Sequence, residues 1–346
     1  MMRILLAGDK FVRNDILARE IGARHAIEPE FAMLDLPWPN VPFGPVAEVN
    51  EAADCEDAVA EALAEAEVVV TQIAPLTARV IGGARRLKLI VCTRGGPVNV
   101  NMRAATERGI AVTCTPGRNA VAAAEYTLLL MLAAMRRLPE AHSSLAGGEW
   151  RSGMYAYTEC GREISGSVIG IIGLGEIGRR VAASVRGMGG HVVAHDPFVS
   201  SDSVGDQVDL VSLTDLLRRA DVITLHARLT AETKGMIGAA ELAQVRRGAV
   251  LVNTARGALL DYDAAVGALE SGQLGGLALD VFPEEPVPPT SPLLRMSRVV
   301  LSPHLAGATR ETAIRAATVA AMEVDRYARG ERLAHVVNSI DPRRPR

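Results

Sequence analysis

The sequence predicts an α/β protein built on open parallel sheets, and three observations carry that prediction. Short Val/Ile/Leu runs recur along the chain and alternate with helical patterns, the signature of βαβ units whose strands are buried on both faces. The length, 346 residues, exceeds what one core usually fills and suits two compact domains. A glycine-rich motif directly follows an apolar run near the middle of the chain, and a second series of runs begins there.

The first series comprises "MRILLAG", "EVVVTQ", "LKLIVC" and "GIAVTC". The Pro-rich "LPWPNVPFGP" within it reads as an irregular surface loop. Residues 119–138 have the length and periodicity of a helix of about five turns. That helix reads either as a connector between domains or as an internal core helix. A polar segment leads on to Gly166, and the second series is "SVIGIIG", "HVVAHD", "DVITLH", "GAVLVN", "LGGLAL" and "RVVLSP". Residues 309–329 form another helical pattern with Gly330 as a stop. The tail "DPRRPR" is expected to fray.

Composition narrows the function. Hydrophobic residues make up 49% of the chain, and 37 basic residues face 40 acidic ones, a net charge of −3. No basic excess points to nucleic acid or an anionic membrane. Cys55, Cys92, Cys114 and Cys160 lack the spacing of a metal site or a disulfide framework. "MMRILLAGDK" lacks the parts of a signal peptide, and "EYTLLLMLAAMRR" is too short to span a membrane. A soluble cytoplasmic protein without a metal is expected.

"VIGIIGLGEIGRR" sets Gly173, Gly175 and Gly178 in the pattern G-x-G-x-x-G between a strand and a helix. In that setting the first glycine permits a tight turn, the second lets backbone approach a pyrophosphate, and the third lets helix and strand pack closely. The helix N-terminus offers free N–H groups to the phosphates. Asp196, ending "HVVAHD", is placed to accept from the adenosine ribose hydroxyls and to repel a 2′-phosphate, which favours NAD over NADP. Its plain alternative is a turn residue before Pro197.

Ligands of open parallel sheets sit beyond the carboxyl ends of the strands. "GAVLVNTARG" delivers Arg256 there, "LGGLALDVFPEEP" delivers Asp280 and Glu285, and "RVVLSPH" delivers His304. Singly, each reads equally as a surface cation, a solvated acid or a turn histidine. Jointly they suit hydride chemistry on a carbonyl. An arginine forks onto a carboxylate, a histidine exchanges a proton near neutral pH, and a glutamate orients and charge-stabilises that histidine.

Through "GIIGLGEIGRRVA", "DVITLHARLTAETKGMIG", "LVNTARGALLD", "ALDVFPEEP" and "SPHLAGAT", the chain resembles the D-isomer-specific 2-hydroxyacid dehydrogenases. The resemblance implies that Arg256 binds the substrate carboxylate and carbonyl, that Glu285 pairs with His304, and that His304 is the acid/base. It implies a nicotinamide contact from Asp280, pyrophosphate contacts from Glu176 and Ile177, and a nicotinamide-lining segment at Thr254 and Ala255. It implies a Rossmann-type NAD domain, residues 118–309, inserted into a flavodoxin-like substrate domain made of residues 1–117 and 310–346. The two linking helices then act as a hinge, and a homodimer is expected.

Several stretches depart from the family pattern. "CTRGGPVNVN" sets Arg94 beside Gly95 and Gly96 in the expected substrate loop, where it either makes the pocket more positive or only faces solvent. Arg228 stands in "HARLT" where relatives carry proline, and the segment with Tyr155 and Tyr157 is longer than usual. No effector-binding module is expected after the last helix. The partner expected is a small 2-hydroxy or 2-keto acid. The alternative is an NAD-sensing, corepressor-like binding protein on the same fold. A formate-type enzyme is disfavoured because Glu285, not glutamine, precedes Pro286.

Overall fold

The computed structural model describes residues 2–24, 28–204 and 208–339; the tail "DPRRPR" lies outside them. The chain divides into two compact units, Met1–Asn119 with Ala308–Arg346, and Ala120–Gly307. The divisions thus fall after Asn119 and Gly307, rather than after residues 117 and 309 as the sequence suggests.

The first unit begins with β1 (Met2–Gly8), α1 (Asn14–Gly22), β2 (Pro29–Asp35), α2 (Glu56–Leu63) and β3 (Val68–Thr71). It continues with α3 (Ala78–Gly83), β4 (Leu89–Cys92), α4 (Met102–Glu107) and β5 (Ala111–Thr113). The strands pair in parallel in the order β2-β1-β3-β4-β5. This is the flavodoxin-like order, with its reversal between β1 and β3. Every residue of β3 and β4 is buried, which is why those strands read as unbroken apolar runs. Strand pleating sends Leu5 and Ala7 into one apolar cluster, and Ile4 and Leu6 into the other.

The second unit opens with α5 (Ala120–Met135) and α6 (Leu138–Ala146). Then come β6 (Val168–Ile172), α7 (Glu176–Gly187), β7 (His191–His195), β8 (Asp209–Leu210), α8 (Leu213–Arg219) and β9 (Val222–Leu225). It closes with α9 (Ala239–Leu242), β10 (Ala249–Asn253), α10 (Tyr262–Glu270), β11 (Leu274–Leu279) and β12 (Val299–Leu301). The parallel order β12-β11-β10-β9-β6-β7-β8 is a doubly wound, Rossmann-type sheet that reverses between β6 and β9. Helix α5 lies over it, with Ala124, Leu130 and Met131 in one cluster with Val252, Ala278 and Val300.

The helix expected over 119–138 is α5, which ends three residues early, and a second helix, α6, begins where the expected one was to end. Helix α5 stops at Met135, Arg137 takes φ +53°, and Pro139 sits in the first turn of α6. A proline inside the helix would clash with the carbonyl four residues back, whereas at the first turn its missing N–H costs nothing. Arg137 secures the break with bonds of 2.9 Å to Glu140 and Glu159.

The chain returns to the first unit as α11 (Arg310–Ala328). Thr309 caps it by accepting from the Thr312 N–H at 3.1 Å, and Gly330 at φ +67° follows its end. Its alanine stripe, including Ala313, Ala317 and Ala320, is buried in one cluster with Leu17 and Ile21 of α1. Among the described residues no helix is long and apolar enough to cross a membrane, and no His/Cys/Asp/Glu group is arranged to hold a metal.

Candidate active site

The three glycines between β6 and α7 differ in what surrounds them. Gly173 has φ +93°, and a Cβ there would stand 2.6 Å from the Ala227 backbone nitrogen. A Cβ on Gly178 would stand 2.2 Å from the Gly173 carbonyl oxygen, so only glycine lets α7 pack this close to the loop. A Cβ on Gly175 would meet nothing within 4 Å. The backbone therefore faces open space at Gly175, and α7 begins there without a side-chain cap, leaving its first N–H groups for an anion. Glu176 is exposed at that N-terminus, while Ile177 packs against the core. Asp196, just past β7, accepts from the Leu174 N–H at 2.8 Å and the Phe198 N–H at 2.9 Å. It thereby ties the glycine loop to the end of β7, and the cradle fits a dinucleotide pyrophosphate.

Beyond β10, Asn253 fixes the next turn: its Oδ1 accepts from Ala255 N–H at 3.1 Å and its Nδ2 donates to the Arg256 carbonyl at 2.9 Å. Thr254 is buried, and its hydroxyl meets that of Thr127 at 2.7 Å. Ala255 is half-buried and Arg256 is exposed. Gly257 is the reason this turn lies against the loop after β11, since a Cβ there would fall 2.1 Å from the Phe282 carbonyl oxygen.

In that loop Glu285 Oε1 accepts from the Phe282 N–H at 2.9 Å, and Oε2 meets His304 Nδ1 at 2.9 Å. Burial pushes the Glu285 carboxyl up. The His304 hydrogen bond, the Phe282 N–H and the charges of His304 and Arg256 outweigh it and hold the group below the usual carboxylate range. A carboxylate only accepts, so Nδ1 carries hydrogen and Nε2 is the ring atom left for exchange. The His304 side chain is 51% exposed, and its backbone adopts the left-handed φ of +56°.

Asp280, which the resemblance set at the nicotinamide, is fully buried. Its carboxylate accepts from Ser302 Oγ at 2.6 Å and from the Leu305 and Ala306 N–H groups at 2.8 Å, and its carbonyl accepts from His304 N–H at 2.9 Å. All these contacts brace the turn that carries His304.

Arg256, Glu285 and His304 are thus brought together in the second unit, while Arg94, Gly95 and Gly96 follow β4 in the first. The Arg94 guanidinium pairs with the Glu51 carboxylate and donates to the Glu51 carbonyl at 3.3 Å. A Cβ on Gly95 or Gly96 would meet nothing within 4 Å. Arg228 is exposed, and Tyr155 and Tyr157 are exposed to 94% and 95%. Sequence reasoning missed Asn253, Gly257, Ser302 and Glu51. Asn253, Gly257 and Ser302 lie inside the quoted motifs "LVNTARGALLD" and "SPHLAGAT", whereas nothing near Arg94 in the chain announces Glu51.

Residues 128–306 match the family model described as D-isomer specific 2-hydroxyacid dehydrogenase, NAD binding domain. The chain is 36% identical over 300 residues to D-3-phosphoglycerate dehydrogenase of Archaeoglobus fulgidus, covering 85% of this chain but only 56% of that protein. It is 35% identical to glyoxylate reductase of Korarchaeum cryptofilum, covering 84% of this chain and 88% of that one. Among solved structures, the TT0316 protein of Thermus thermophilus superposes with a TM-score of 0.80 at 32% identity, over 97% of this chain and 100% of that one. D-2-hydroxyisocaproate dehydrogenase gives 0.79 at 25% identity, over 98% and 100%. The glycine cradle and these matches agree: the chain belongs to the D-isomer-specific 2-hydroxyacid dehydrogenase family, and NAD is the cofactor of its second unit.

Proposed function

We propose that the protein interconverts a 2-keto acid and a D-2-hydroxy acid, with His304 as acid/base, Glu285 as its partner and Arg256 as the anchor for the substrate carboxylate and carbonyl. The observation that carries this reading is the 2.9 Å contact of His304 Nδ1 with a Glu285 carboxylate that also feels the charge of Arg256. NADH, when bound, supplies the hydride for C2 of the keto acid. His304 Nε2 gives its proton to the carbonyl oxygen in reduction and takes it back in oxidation. Glu285 sets the ring orientation and balances the imidazolium charge. Arg256 binds the carboxylate through its fork and draws electron density from the carbonyl.

Gly173, Gly175, Glu176, Ile177 and Gly178 form the pyrophosphate cradle, and Thr254, Ala255 and Asp280 shape the nicotinamide end. Asp196 retains lone pairs for ribose hydroxyls, which supports NADH over NADPH. Gly95, Gly96 and Arg94, in the loop after β4, are the substrate-binding candidates of the first unit, with Arg94 paired to Glu51. Exposed Leu129, Leu132, Leu138, Leu145 and Trp150, on or just after α5 and α6, support a homodimer.

The test is NADH oxidation across 2-keto acids, glyoxylate, pyruvate, hydroxypyruvate and its 3-phosphate among them, repeated with NADPH. Turnover of at least one acid with a clear NADH preference is expected. NADH binding without turnover of any acid would overturn the reading in favour of an NAD sensor, and equal use of NADPH would remove Asp196 from cofactor selection.

A further inference from the structure

Helix α5 sends two neighbouring hydroxyls to two different strand ends. Tyr126 Oη lies 2.6 Å from Ser302 Oγ, just past β12, and Thr127 Oγ1 lies 2.7 Å from Thr254 Oγ1, just past β10. The proton directions follow from counting. The single Ser302 hydroxyl proton goes to Asp280 Oδ1 at 2.6 Å, so Tyr126 must donate to Ser302. Likewise Thr127 donates to the Ala123 carbonyl at 2.7 Å, so Thr254 must donate to Thr127.

The Tyr126 chain ends at one of the few non-glycine residues with left-handed backbone. Asp280 receives Ser302 from before the left-handed His304 and the N–H groups of Leu305 and Ala306 from after it. A non-glycine residue keeps that conformation only when its surroundings over-determine it. We propose that Tyr126, acting through Ser302 and Asp280, is a positioning residue that fixes the His304 turn and so aims the imidazole at the substrate. The inference rests on the reading of His304 as acid/base.

Tyr126→Phe keeps the ring and removes the donor, and Ser302→Ala breaks the chain at its middle. Both should lower kcat about tenfold or more, while KM for the keto acid and NADH affinity stay within about twofold. Thr127→Val is the matched comparison. It removes a buried hydroxyl from the next residue of the same helix, and should move NADH affinity through Thr254 rather than kcat.

The ¹H–¹⁵N signals of the His304 ring give a readout independent of turnover, and should shift or broaden in Tyr126→Phe and Ser302→Ala but not in Thr127→Val. Unchanged ring signals and kcat in both variants would overturn the proposal. So would equal kcat losses in Tyr126→Phe and Thr127→Val, which would mean a general loosening of α5. Disturbed ring signals with normal kcat, alongside a fully active His304→Ala, would uphold the positioning chain and overturn the acid/base reading instead.

Discussion

Two histidines follow strands of the same sheet and have opposite surroundings. His226 comes directly after β9 in "VITLH", and His304 comes shortly after β12 in "VVLSPH". His226 Nε2 meets the buried Thr224 hydroxyl at 3.0 Å, and burial pushes the ring down to about 4, so it is neutral at pH 7. Its backbone is the surface against which Gly173 packs. His304, itself left-handed, is half exposed and meets a carboxylate at 2.9 Å. Location beyond a strand end therefore does not by itself single out a histidine. The carboxylate partner and the exposed side chain set His304 apart, and the role proposed for it rests on them.

The comparison breaks if the two positions respond alike to substitution. His304→Ala should lower kcat roughly 10²- to 10⁴-fold with NADH binding retained, whereas His226→Asn should cost less than about tenfold. Steady-state rates beside a fluorescence titration of NADH measure both quantities. Glu285→Gln sharpens the comparison by removing only the partner charge. Glu285→Gln should then lower kcat about tenfold or more with NADH affinity retained, because the ring loses the partner that orients it. An unchanged kcat would take Glu285 out of the pair.

Stability should separate the two sites more gently. The folded state holds Glu285 below the usual carboxylate range, so its contribution is present above that range and is lost as pH falls through the depressed value. The Tm advantage of the native protein over Glu285→Gln should therefore shrink below about pH 4. His226 works over a higher window. Its ring takes up a proton at its ordinary 6.5 when unfolded but only at about 4 when folded, so acidification through that interval favours the unfolded state. His226→Asn should flatten the Tm loss over that interval. An unchanged slope would show that the ring is not buried enough to matter.

How much of this was legible in the sequence depended on how local the cause was. Strands β3, β4, β6 and β9, lying inside their sheets, read as continuous apolar runs, and the glycine cradle and the ends carrying Arg256, Glu285 and His304 lie within short motifs. Of the four edge strands, β5 and β12 read as runs, whereas β2 and β8 did not. β2 alternates between exposed and half-buried residues, and β8 is two residues long, so neither makes an apolar run. The break at Arg137 was missed because helical periodicity runs through it, although Pro139 was in view. Beyond the Glu285–His304 pair that the resemblance implies, long-range side-chain bonds were out of reach: Glu51 on Arg94, and Tyr126 on Ser302, join residues far apart in the chain. Nothing in "TLH" against "SPH" tells which histidine will find a carboxylate, since Glu285 reaches His304 only after the two loops have folded.

Chemical rescue of His304→Ala by free imidazole tests the central claim most directly. If His304 supplies the proton, added imidazole should restore keto-acid reduction in proportion to its concentration, and most strongly at pH values where imidazole is protonated. Turnover of His304→Ala that starts at the native rate, or that stays depressed and indifferent to imidazole at every pH, would contradict it.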